Sequence, residues 1–113
     1  MQMLKQDKYQ SCIDACYACA ESCDACANAC LNEKDVKKLV SCIKLNLDCA
    51  EACITTARYM SRNSELAVAA CGMCAEICDV CAEECEMHKN MEHCVKCAAA
   101  CRACADECRK MAK

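Results

Sequence analysis

The residues that recur at helical spacing along this chain are cysteines, and the positions between them are small or charged. Cys12, Cys16, Cys19, Cys23, Cys26 and Cys30 step by 4, 3, 4, 3 and 4. Cys71, Cys74, Cys78, Cys81 and Cys85 step by 3, 4, 3 and 4, as do Cys94, Cys97, Cys101, Cys104 and Cys108. A sparser group, Cys42, Cys49 and Cys53, steps by 7 and 4. Alternating steps of 3 and 4 make a heptad seam, which places every thiol of a group on one helical face. Asp14, Glu21, Asp24, Glu76, Glu83, Glu84, Arg102 and Asp106 point away from that seam. Each segment therefore reads as an amphipathic helix with sulfur in the place of leucine.

The pattern predicts four helices, roughly Asp7–Leu31, Asp35–Ser61, Glu65–His88 and Met91–Met111, with Asp35, Ser64 and Asn90 as N-caps of the last three. The connections are a few residues long, which favours antiparallel neighbours. The expected fold is all-α: a single domain over residues 1–113, an antiparallel up-down-up-down four-helix bundle with a cysteine-lined core. Pro is absent and Gly72 is the one glycine, so the turn signals that join strands are missing. Cys78-Asp-Val-Cys81-Ala-Glu-Glu-Cys85 and Cys101-Arg-Ala-Cys104-Ala-Asp-Glu-Cys108 resemble each other, which suggests duplication of a helical unit.

Composition sharpens this picture. Phe and Trp are absent, and Leu, Ile and Val together number 15 among 113 residues, against 19 cysteines. A small domain is hard to stabilise even with ordinary core residues, so something bound to the sulfurs must complete the interior. A cysteine content this high usually signals a secreted disulfide scaffold. Against that, the cysteine count is odd, and the first residues, Met1 to Tyr9, hold no apolar stretch of signal-peptide length. No apolar run is long enough to span a membrane. The expected compartment is the reducing cytosol, where thiols stay reduced. A net charge of −3 argues against a nucleic-acid partner.

Packing alone does not account for 19 thiols, because side chains this small leave a bundle interior loose. Metal binding does. Cβ atoms three or four residues apart lie about 5–6 Å apart, and one ion with metal–sulfur bonds of about 2.3 Å bridges sulfurs up to roughly 4.6 Å apart. Thiolates select Cu(I), zinc or iron–sulfur clusters. Charge decides among them: zinc in a four-thiolate site leaves −2 in the core, whereas monovalent ions at about one per thiolate leave it near neutral. Cu(I), many ions per chain, fits best, and Ag(I) fits for the same reasons. Iron–sulfur clusters are wrapped by cysteine-bearing loops rather than faced by continuous helices, and catalytic thiol exchange needs one exposed low-pKa thiol. No catalytic constellation is evident, so the expected role is storage or sequestration. The alternatives are a copper sensor or metallochaperone, or a thiolate zinc-binding or redox-buffer protein.

At the bundle ends, Met87, His88, Met91 and His93 share a rim. His88 continues the third seam, and His88 and His93 are candidate metal ligands at the mouth of the thiol row, with the methionines as weaker ones. Tyr9, Met60 and Met111 continue seams at the opposite rim and read as an apolar plug. Asn46 interrupts the second seam, where a register-setting role is favoured over ligation.

With these residues in hand, the chain resembles the bacterial four-helix-bundle copper storage proteins over nearly its whole length. The likeness rests on the Cys12–Cys30 ladder, the sparser Cys42, Cys49 and Cys53 helix, and two five-cysteine helices separated by the His88–His93 turn. The resemblance implies a Cu(I) store ligated mainly by thiolates with histidine near one open end, of the cytosolic branch, assembled as a homotetramer. Its partners would be copper ions and a copper donor or acceptor protein.

Overall fold

A computed structural model describes residues 8–112. Four helices carry the chain: α1 (Gln10–Leu31), α2 (Val40–Ser61), α3 (Ala67–Glu86) and α4 (Glu92–Ala112). Each packs on the next, and α1 closes the ring against α4. Cys12 sits by Cys108 and Cys26 by Cys94, while Cys42 sits by Cys85 and Cys53 by Cys74, so α1 runs antiparallel to α4 and α2 to α3. This is the up-down-up-down bundle that the seams imply.

The expected boundaries shift at each junction for local reasons. The predicted start of the first helix at Asp7 lies outside the described residues. Asp35 does not cap α2: its side chain makes no capping hydrogen bond, and Val36–Leu39 forms a 3₁₀ turn that tucks Leu39 into the bundle. After α2, Asn63 takes a left-handed conformation (φ 53°). The Ser64 N–H then donates to the Tyr59 carbonyl and the Asn63 N–H to that of Met60, both at 3.0 Å, which closes the helix as a Schellman motif. Asn is one of the few side chains that tolerates this conformation. The Ser64 hydroxyl accepts the Leu66 N–H at 3.0 Å, so Ser64 does serve the start of α3. At α4 the boundary is Met91, whose carbonyl accepts the N–H groups of Cys94 and Val95 at 3.1 Å, rather than Asn90.

Alanines flank the seam, with Ala20, Ala27, Ala50, Ala57, Ala75, Ala82, Ala98 and Ala105 all buried. Their small side chains let the helices approach until facing thiols meet. On the outside, Arg102 bridges Asp79 and Glu86, and Arg109 bridges Asp79 and Asp106. The part-exposed pairs to Asp79 and Glu86 tie α3 to α4 at modest energetic gain.

Candidate metal centre

All 19 cysteines are free, and none is more than 1% exposed. They form a continuous axial column in which each helix adds one donor per layer. One layer holds Cys16, Cys53, Cys74 and Cys104, with Cys104 at 3.6 Å from Cys16 and Cys53 at 3.8 Å from both Cys74 and Cys104. The next holds Cys19, Cys49, Cys78 and Cys101, with sulfur–sulfur distances of 3.8 Å (Cys19–Cys49), 3.7 Å (Cys19–Cys101) and 3.6 Å (Cys49–Cys78). Beyond it lie Cys23, Cys81 and Cys97, then Cys26, Cys42, Cys85 and Cys94. Rungs between layers are equally short, as in Cys23–Cys101 at 3.7 Å and Cys53–Cys78 at 3.7 Å.

These separations are far above the disulfide bond length of about 2.05 Å. They are close to the roughly 4.0 Å expected when three sulfurs surround one ion with bonds of about 2.3 Å. Several four-donor sets have all their atoms within 4.8 Å of one another, among them Cys16/Cys74/Cys104/Cys108, Cys19/Cys23/Cys49/Cys101 and Cys23/Cys81/Cys97/Cys101. Cys104, Cys19, Cys23 and Cys101 each belong to at least two sets. The column is thus a chain of overlapping sites.

In the metal-free state two thiols at the His93 end of the column, Cys94 and Cys30, are held protonated. Burial, followed by repulsion from the neighbouring charges of Cys42 and Cys30, pushes the Cys94 thiol up to about 12. Burial and then Cys42 likewise raise Cys30. Thiols held protonated in this way become thiolates when a cation replaces the proton.

The two histidines part company. His93 Nδ1 lies 3.5 Å from Cys26, 3.6 Å from Cys94 and 3.9 Å from Cys30. Its Nε2 is 3.0 Å from a Glu33 carboxylate oxygen. A carboxylate on one ring nitrogen holds that nitrogen as N–H, leaving the other as a lone pair, the usual arrangement of a metal-ligating histidine. Here the lone pair faces three sulfurs. His88, which continues the α3 seam in sequence, instead directs Nε2 to Glu84 at 3.0 Å. The helix ends at Glu86, two residues short of it, so the seam periodicity no longer governs its direction. Met87 is 74% exposed, while Met91 is packed against the core.

Sequence reasoning placed the thiols and singled out Asn46 and Met60, but missed Glu33. Glu33, in the loop after α1, carries no periodic signal. Asn46, favoured as a register device, is fully buried, and its Oδ1 accepts from Cys81 at 3.1 Å, Cys97 at 3.3 Å and Cys85 at 3.6 Å. Its amide N–H donates to the Cys42 sulfur at 3.7 Å, so it fills the α2 position in the layer of Cys23, Cys81 and Cys97. Met60, expected in the plug, is fully buried with its Sδ accepting the Cys71 S–H at 3.6 Å. Tyr9 is buried, and Met111 is partly buried against the core.

The comparisons agree with this geometry. Residues 5–113 match the family model described as copper storage protein. The cysteine-rich protein YhjQ of Bacillus subtilis is 39% identical over 75% of this chain and 78% of its own length. Among solved structures, the Cu(I)-bound copper storage protein BsCsp3 superposes with a TM-score of 0.88 at 38% identity, over 92% of this chain and 97% of that one. A cytosolic copper storage protein from Streptomyces lividans, carrying five coppers, superposes with a TM-score of 0.90 at 39% identity, over 96% and 94% of the two chains. A thiol column of this length, in a chain so matched from end to end, belongs to the copper storage protein family.

Proposed function

We propose that the protein sequesters Cu(I), many ions per chain, through thiolates inside the bundle, and releases it without chemical turnover. One observation carries the reading: 19 buried free thiols line the axis, and successive four-donor sets along it share sulfurs. A sensor or metallochaperone needs one or two ions and would leave most of this column unused. A zinc protein would accumulate uncompensated charge with each four-thiolate site. Cu(I) at about one per thiolate neutralises the column as it fills.

The ligands in this reading are the cysteines of the four seams together with His93, whose lone pair faces Cys26, Cys30 and Cys94. His93 receives an ion at the rim, and transfer inward proceeds from sulfur to sulfur over short rungs. His88 takes an outer role, holding Glu84 at the same rim. The four helices act as a single domain in a reducing cytoplasm, the compartment named for the Streptomyces relative, and assembly as a homotetramer follows the family resemblance. Among the described residues no helix is long and apolar enough to cross a membrane. Titration of the reduced protein with Cu(I) against a chromophoric Cu(I) chelator tests the proposal. Uptake on the order of one ion per thiolate, the neutrality limit, with release of thiol protons, is expected; saturation at one or two ions overturns it.

A further inference from the structure

We propose that Met60 is a metal ligand, its thioether completing a mixed thiolate–thioether site with Cys12, Cys71 and Cys108 at the end of the column remote from His93. The proposal rests on the storage reading and adds a donor to it. In the layers above, α2 presents Cys53, Cys49, Asn46 and Cys42 in turn to the axis, each as a sulfur or oxygen donor. Met60 occupies the same seam one turn beyond Thr56, and it is fully buried. Its sulfur, not its methyl, meets the neighbouring thiol, since the Cys71 S–H donates to Sδ at 3.6 Å. Cys12 and Cys108, from α1 and α4, are 3.6 Å apart at the same end of the column. This end thus carries four sulfur donors, one from each helix.

The chemistry suits this end. Thioethers bind soft monovalent ions as neutral donors. One Cu(I) entering here displaces a thiol proton to solvent and accepts a lone pair from Sδ, with no electron transferred. Three thiols with a neutral fourth donor let the ion be held without adding a buried negative charge. Closing the end does not require Met60, because Tyr9 and Met111 lie against the same end of the core.

The test loads the full protein with ¹⁰⁹Ag(I), a spin-active Cu(I) surrogate, and records ¹H–¹⁰⁹Ag correlations to the methionine ε-methyl groups. A silver correlation to one interior methyl, absent in Met60→Leu, is expected. The swap conserves volume and should fold; a through-space contact from that methyl to the Cys71 Hβ protons gives the same assignment in the unaltered chain. Met60→Leu should keep the thiolate-set capacity while holding its terminal ion about tenfold or more less tightly, the scale on which loss of a supporting group weakens a metal site. Protein that takes up silver with no such correlation overturns the Met60 site alone. Protein that takes up no silver overturns the storage reading and this one with it.

Discussion

Replacing Asn46 by Leu should move the metal-free and metal-loaded proteins in opposite directions. The Asn46 amide is fully buried among sulfurs, and burying an uncompensated amide costs about 1–3 kcal/mol on mutational scales. Its compensation is three thiol donors at 3.1, 3.3 and 3.6 Å and one sulfur acceptor at 3.7 Å, and thiols are weak partners in either role. Most of the cost therefore remains, and leucine, of similar length, removes it. The metal-free variant should gain about 1 kcal/mol, raising its Tm by about 4 °C for a domain of this size. Loading reverses the sign, because the variant lacks the oxygen that faces Cys81, Cys85 and Cys97, and Cu(I) in that layer should bind about 10–100-fold more weakly. Calorimetric melting of both forms and competition with a Cu(I) chelator provide the two readings. A metal-free variant that melts below the parent, with copper affinity unchanged, would show that Asn46 only sets helix register and would refute the reasoning.

Two further outcomes follow from the rim and the core. His93→Ala should slow Cu(I) uptake by about tenfold while leaving capacity nearly intact, and His88→Ala should slow it less, because only His93 presents a nitrogen to thiols; stopped-flow loading that ranks them the other way contradicts the assignment. The metal-free protein should lose stability as pH rises above about 9: Cys94 is raised from its ordinary 9.0 to about 12, so over that window the unfolded chain has released a proton that the folded chain retains, and stability falls with pH. The copper-loaded protein has no such proton to lose and should melt higher. A melting temperature for the metal-free form that stays flat or rises from pH 8 to pH 11 would contradict the core electrostatics.

The bundle and its thiol column were legible in the sequence because one property, the 3–4 spacing, sets both the helix and the face it buries. Legibility failed where that spacing stops governing direction. His88 sits past the end of α3, so a loop turn and Glu84 aim its ring. His93 was legible as a rim candidate, but its partner was not: the first turn of α4 brings its Nδ1 over the column, and Glu33 from another loop meets its Nε2. Asp35 looked like a cap but precedes a 3₁₀ turn, whose direction is set by burying Leu39 rather than by propensity.

The sparse helix is the most informative. By cysteine count α2 contributes 3 of 19 thiols and looks like the least involved wall of the bundle. Its seam nevertheless continues through Cys42, Asn46, Cys49, Cys53, Thr56 and Met60, all fully buried. Thr56 turns its hydroxyl to the Ala70 carbonyl at 3.4 Å, so it is spent on α3. Asn46 and Met60 instead place neutral oxygen and sulfur against thiols of the other helices. A column made only of thiolates would be held to one cation per anion at every layer. Neutral donors spaced along one wall relax that limit locally: they fill coordination positions without demanding further charge. The wall with the fewest thiols is therefore the one that brings uncharged donors to the column, while the sulfurs common to overlapping sets, Cys19, Cys23, Cys101 and Cys104, lie on α1 and α4.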